Sequence, residues 1–441
     1  MHRFNHCLIV LALLWVTSPA SSTAADEPRP DQAAEVSYEL ATPWRAALCA
    51  DPARQCRATP QRRAIGAEIA HYSLEVPVGL GMYDRIVLHR VVRESSPGRP
   101  APTHRGVLLV HGDGGRFASN FLPTVPLPGL ADERSLAIFL ARRGIDVWGI
   151  DFRWTRVLST TTDLSFMADW GMERHIADLD VAFTAARLVR GFTGSGFGRL
   201  HLLGFSRGAQ IGYGYLNAET QQPPFRRHSR GFIVLDVPYL AADDTSAQRA
   251  CERVESIEAD LDDGFFADDL SLFRVLGDLA AADPASPSPF IPGLSNLEAA
   301  LFFGSTDSLI GYHLVGGLPT QLFYTEPSLW LATMQASTAW SSPLPLQLQI
   351  FQLRCGEVDL PFDDHLADVT VPALYLGAAG GLGASGLASL EALGSTDVTT
   401  RVVALLAPEE RAFDLGHLDT LLATDADQLF WTPIANWIEA H

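Results

Sequence analysis

The chain has 441 residues, 47% of them hydrophobic, and a formal net charge of −19. That is apolar material enough for one large domain with an insertion, or for two smaller domains. All 32 strongly basic residues are arginine; scattered among acidic segments, they make no basic stripe, which argues against a nucleic-acid partner.

Residues 1–25 read as a signal peptide. His2 and Arg3 precede the apolar run CLIVLALLWV, and SPASSTAA then offers small residues for cleavage near Ala24 or Ala25. The apolar run is too short for a comfortable membrane span. No later stretch reads as a long uninterrupted one, so no stable transmembrane anchor is expected. The expectation is export, to the periplasm or outside the cell. Export gives the cysteines a reading. Cys49 and Cys56 bracket ADPARQ, and Cys251 and Cys355 stand near the start and end of a large insertion. An oxidising compartment permits both pairs to bridge, although reduced buried thiols fit the sequence as well. The chain has no CxxC, no HExxH and no dense His/Cys cluster, so no metal is expected.

Residues 26–69 are polar, alanine-rich and broken by proline, and read as an N-terminal extension. IAHYSLEVPV (69–78) and YDRIVLHRVVRE (83–94) read as an antiparallel pair at a sheet edge. GVLLV (106–110) is a buried strand, and His111-Gly112-Asp113-Gly114-Gly115 follows at once. A glycine-dense turn there can aim backbone N–H groups into a cleft. ERSLAIFLARRG (133–144) has helical spacing, IDVWGIDFR (145–153) is the next strand, and MERHIADLDVAFTAARLVRG (172–191) is a long helix ended by glycine. RLHLLG (199–204) runs into Gly204-Phe205-Ser206-Arg207-Gly208 and then into the helical stretch RGAQIGYGYLNAE. This strand-turn-helix context makes Ser206 a candidate nucleophile for acyl transfer.

GFIVLD (231–236) is a further strand. The alternation then breaks, and residues 243–345 read as an inserted, mostly helical cap. Its apolar residues suit either burial against the main domain or an apolar substrate pocket. Strands resume with VTVPALYLG (369–377) and VTTRVVALLA (398–407). His417, in Gly416-His417-Leu418-Asp419, is a candidate base. The closing stretch LFWTPIANWIEA (429–440) sets Leu429, Trp431, Ile434, Trp437 and Ile438 on one helix face. Val/Ile/Leu-rich strands alternating with helices predict a mostly parallel sheet covered on both faces. The loops at His111, Asp151, Ser206 and Asp236 then share the edge where such sheets place their sites. Gly381-Leu382-Gly383-Ala384-Ser385-Gly386 matches GxGxxG. It lies too near the chain end for a nucleotide fold to follow and reads as a flexible glycine loop. No cofactor is expected.

The HGDGG strand end, the GFSRG elbow, the late GHLD histidine and the strand order between them resemble the α/β-hydrolase superfamily. The likeness spans roughly residues 70–440 and is greatest to esterase and lipase members with an inserted cap. It implies a catalytic domain over 70–242 and 346–441. It implies Ser206 as nucleophile, His417 as base and then acid, and an acidic residue that orients His417. Oxyanion donors are implied at Arg207 N–H and in the turn after His111, at Gly112 or Asp113. Many members carry the acid just after the strand that here reads VPALYLG, where this chain has Ala378-Ala379-Gly380-Gly381. Asp236, which ends a buried strand, takes its place; Asp397 and Glu391 are the alternatives, and Asp414 and Asp419 flank the histidine too closely. The resemblance implies a serine hydrolase acting on small-molecule or lipid-like carboxylic esters. A peptidase or amidase, and a non-catalytic binding protein, share the fold.

Overall fold

Among the described residues of the computed structural model (60–124, 131, 134–304, 312–315 and 318–441), ten strands form one open sheet. The expected signal peptide, most of the N-terminal extension, Cys49 and Cys56 lie outside the described residues. The N-terminal strands β1 (Gln61–Ile65), β2 (Ile69–Pro77), β3 (Arg85–Ser96) and the short β4 (Arg99–Pro100) pair antiparallel. β5 (Arg105–Val110), β6 (Ile145–Asp151), β7 (Leu200–Phe205) and β8 (Ser229–Leu235) follow, with β6 joined antiparallel to β3 and otherwise parallel neighbours. A separate antiparallel hairpin of β9 (Tyr312–Val315) and β10 (Leu318–Leu322) precedes β11 (Ala373–Ala378) and β12 (Val398–Val403), which extend the parallel half. The spatial order is β1-β2-β3-β6-β5-β7-β8-β11-β12, with β4 on β3.

The strands sort their side chains by alternation. Leu108 and Val110 of β5, Leu202 of β7, and Phe232 and Val234 of β8 face one core. Val107, Leu109, Leu203, Phe205, Ile233 and Leu235 face the other. Both faces are covered, so the central strands read as unbroken apolar runs. Helices α1 (Phe117–Phe121) and α2 (Leu136–Arg142) lie between β5 and β6. α3 (Met172–Phe192) leads to β7, and α4 (Arg207–Thr220) leads to β8. Leu179 and Phe183 of α3 and Ile211 and Tyr213 of α4 fill the first core.

Between β8 and β11 come α5 (Asp244–Asp262), α6 (Ser271–Ala282), α7 (Asn296–Gly304), α8 (Pro327–Gln335) and α9 (Leu344–Cys355). None of the described residues in this run joins the main sheet. Leu276 and Trp330 from it enter the second core. α9 crosses the 345/346 boundary drawn from sequence and packs on α5, to which the Cys251–Cys355 disulfide ties it. The chain closes with α10 (Leu387–Glu391), α11 (Asp419–Leu422) and α12 (Thr432–Ala440). Trp431, Ile434, Trp437 and Ile438 are buried in the second core, with Leu429 half-buried beside them. No described helix is long and apolar enough to cross a membrane.

Two departures from the sequence reading have simple causes. β1 sits inside the stretch read as an extension. Its sequence QRRAI buries only Ile65, so it carries no alternation and is held by backbone pairing at the sheet edge. β2 and β3 pair as expected but lie one strand in from that edge.

The antiparallel and parallel halves of the sheet are joined through a buried charge cluster. Arg90 of β3 donates to Asp146 of β6 twice, at 2.9 and 2.8 Å, and Arg190 of α3 donates to the same carboxylate at 2.9 Å. All three residues are buried. Asp146→Ala strands two guanidinium groups out of water and is expected to cost about 3–5 kcal/mol, measured by urea unfolding.

Candidate active site

A sharp turn between β7 and α4 carries Ser206. It follows β7 directly, heads α4, and holds φ 53°, ψ −127°, a conformation rare for a residue with a side chain. The turn is pinned by Ser206 N–H donating to Leu235 O at 3.3 Å, and by Ala209 N–H donating to Ser206 O at 2.9 Å. The flanking glycines are steric necessities. A Cβ on Gly208 would lie 2.2 Å from Val110 O, so α4 starts against the end of β5. That contact brings the turn after His111 beside the serine: a Cβ on Gly112 would stand 3.0 Å from Ser206 Cβ.

His111 is fully buried, and burial holds its imidazole below the usual value. Its Nε2 accepts from Phe152 N–H at 3.3 Å, which leaves the proton on Nδ1 to donate to Gly112 O at 2.8 Å. A trans peptide points its C=O and N–H in opposite directions. Holding the Gly112 carbonyl therefore turns the Asp113 N–H the other way. Gly112 N–H already donates to Asn120 Oδ1 at 3.0 Å. Of the two residues proposed from sequence in this turn, Gly112 therefore has its N–H already engaged. The N–H groups of Asp113 and Arg207 have no acceptor among the described residues. Sequence reading missed Asn120, because nothing in its local pattern marks it.

His417 lies in the turn ahead of α11, its ring stacked on Phe205 with centroids 4.7 Å apart. Its Nδ1 is 2.9 Å from Asp236 Oδ2. Asp236 has no solvent exposure and also holds a positive φ, 47°. Its Oδ1 accepts from Ala378 N–H (2.9 Å) and Gly383 N–H (2.8 Å), and its Oδ2 from Leu382 N–H (3.0 Å). A buried carboxylate needs such donors. They come from the last residue of β11 and from the loop after it, which has no carboxylate of its own. The Gly381–Gly386 stretch that matches GxGxxG is therefore the cradle of Asp236.

The other carboxylates weighed from sequence are placed elsewhere. Asp397 precedes β12, at the opposite end of the parallel strands from Ser206, and its exposed side chain pairs with His441 at 3.3 Å. Glu391 is exposed at the end of α10. Asp414 accepts from the N–H groups of Leu405, Leu406 and Leu415, and Asp419 from Gly416 N–H and Thr325 Oγ1. Both tie down loops beside the histidine.

Ser206 and His417 open onto one cavity of about 480 Å³. Leu270, Phe273, Phe303, Trp330 and Leu418 give it an apolar wall, and Asp113, Asp268 and Asp269 line it too. The arrangement sets a hydroxyl, an imidazole with its far nitrogen anchored, and the residue carrying the unengaged Asp113 N–H around one space, with the Arg207 N–H next to the hydroxyl in the chain. That is the equipment of acyl transfer.

No protein-family model matches the chain, and no curated protein sequence matches it. Among solved structures, a candidate lipase from Sulfolobus solfataricus is 18% identical at TM-score 0.60, over 87% of this chain and 99% of that one. Epoxide hydrolase A from Mycobacterium thermoresistibile (15% identity, TM-score 0.44, 86% and 98% of the chains) is a more distant likeness. So is an esterase from Exiguobacterium antarcticum (12%, 0.42, 80% and 96%). At these identities the likeness speaks to fold, and the fold is that of the α/β-hydrolases.

The Asp236 cradle is tight enough to test alone. A Cβ on Gly381 would stand 2.4 Å from Asp236 Oδ2 and 2.8 Å from His417 N. Gly381→Ala is expected to shift or abolish the low-field proton NMR resonance of His417 Nδ1–H that the wild type should display.

Proposed function

We propose that this α/β-hydrolase-fold chain is a serine hydrolase that cleaves carboxylic esters through a covalent acyl-enzyme. Ser206 is the nucleophile, His417 the base and then the acid, and Asp236 the carboxylate that orients His417. The observation that carries this reading is the 2.9 Å contact between His417 Nδ1 and the buried Asp236, with His417 lining the same cavity as the strained Ser206.

Ser206 Oγ attacks the ester carbonyl carbon while His417 Nε2 takes its proton. Asp236 holds the imidazole with its proton on Nδ1 and stabilises the imidazolium that forms. The carbonyl oxygen becomes an oxyanion and accepts from Asp113 N–H and Arg207 N–H. The intermediate collapses, the C–O bond to the alcohol breaks, and His417 returns the proton to the leaving oxygen. Water then attacks the acyl-enzyme with His417 again as base, releasing the acid and Ser206.

The apolar wall supports an uncharged acyl group as the substrate's larger contact. The run between β8 and β11 supplies much of that wall and acts as a cap over the catalytic domain. The Cys251–Cys355 disulfide supports the expectation of an oxidising, exported location. The contact between Asp236 and His417 supports the catalytic reading over a non-catalytic binding protein of the same fold.

A fluorophosphonate probe is expected to label wild-type protein and leave Ser206→Ala unlabelled; labelling that persists in S206A contradicts the assignment. Asp236→Asn should lower kcat on p-nitrophenyl butyrate by about 10⁴-fold, the cost of losing the orienting carboxylate of such a unit. Asp397→Asn should change it little.

A further inference from the structure

The geometry points to Ser342 as a positioning residue that holds the oxyanion loop through the carboxylate of Asp113. The inference rests on the ester-hydrolase reading above and goes one layer outward from it.

Asp113 poses an electrostatic problem. Its N–H is aimed at a developing negative charge, yet its own side chain is an anion. A short carboxylate in a loop also tends to fold back on nearby N–H groups. Here it takes one such N–H and is also held by donors that reach it from the far end of the inserted segment. Ser342 N–H donates to Asp113 Oδ1 at 2.6 Å, and Ser342 Oγ donates to Oδ2 at 2.9 Å. Gly114 N–H completes Oδ1 at 2.9 Å. Arg207 Nη2 stands 3.6 Å from Oδ2, placing a cation beside the carboxylate. Ser342 is fully buried, so a hydroxyl and an N–H there need acceptors. The same strap holds the next peptide as well, since Thr338 N–H donates to Gly114 O at 2.9 Å.

The strap is itself fastened. Gln347 Nε2 of α9 donates to Ser342 O at 2.8 Å. One turn further along α9, the Phe351 ring lies 6.0 Å from the Arg207 guanidinium carbon, within reach of a cation–π contact. α9 ends at Cys355, bonded to Cys251 of α5. The residues at both proposed oxyanion donors, Asp113 and Arg207, thus have side chains held by one element, α9 with its leading strap. Stabilisation of the oxyanion depends on that strap being seated.

The test is a double-mutant cycle with Ser342→Ala, Asp113→Ala and the double variant, following p-nitrophenyl butyrate hydrolysis and inhibition by butylboronic acid. The boronate adds to the serine and puts an oxygen where the oxyanion forms. Each single variant should lower kcat about 10-fold or more, because small displacements at a reacting centre are costly, with KM within about twofold. The boronate Ki should rise by the factor by which kcat/KM falls. The double variant should lose no more than the worse single, since the two side chains act through one contact. Wild-type kcat and Ki in S342A, or losses that multiply in the double variant, overturn the inference. Should S342A fail to fold, D113A carries the test, its side chain being about a third exposed (31%); wild-type kcat and Ki in D113A then overturn it. A folded wild type that neither reacts with fluorophosphonate nor turns over ester overturns the hydrolase reading along with this one.

Discussion

A carboxylate with no access to water organises this site. A side-chain carboxyl as deeply buried as Asp236 needs hydrogen-bond partners for its oxygens. Three of these partners are backbone N–H groups, one from the last residue of β11 and two from the loop after it, and the fourth is the imidazole of His417. That one requirement dictates the glycine content of the loop, the path of the chain from β12 back to the sheet edge, and the side of the imidazole that faces the cavity. The loop's lack of a carboxylate and the presence of one after β8 are two aspects of the same arrangement.

The second constraint is closeness of backbone. α4 begins against the carbonyl end of β5, which only glycine at position 208 permits. This brings the turn after His111 to the serine without any side chain reaching across. The turn is then aimed by groups behind it: His111 on one carbonyl, Asn120 on one N–H, and Ser342 with Arg207 on one carboxylate. Preorganised donors of this kind need no rearrangement at the moment of reaction, which is where most of their value lies. Part of the fastening comes from the inserted segment, which also lines the cavity.

Much of this was legible in the sequence, for physical reasons that differ residue by residue. The central strands were readable because burial on both faces leaves continuous Val/Ile/Leu runs. Ser206 was readable because its turn demands small neighbours. Asp236 was readable because a charge closing a buried strand needs a partner. Asp397 could have been set aside by direction alone, since it precedes a parallel strand whose far end faces the site. Other features left no local trace. β1 is an edge strand of polar residues, Asn120 and Ser342 meet the site only through the fold, and a glycine loop that cradles a carboxylate resembles one that cradles a phosphate. Choosing between Gly112 and Asp113 required knowing which N–H was already bonded.

The central claim is that Ser206, His417 and Asp236 act as one unit beneath the N–H groups of Asp113 and Arg207. A crystal structure of the protein inactivated by an alkyl phosphonate ester tests it most directly. The account predicts phosphorus bonded to Ser206 Oγ and the phosphoryl oxygen about 3 Å from the nitrogens of both Asp113 and Arg207. His417 should remain on Asp236. Phosphorus on another residue, or a phosphoryl oxygen turned away from both nitrogens, would contradict it.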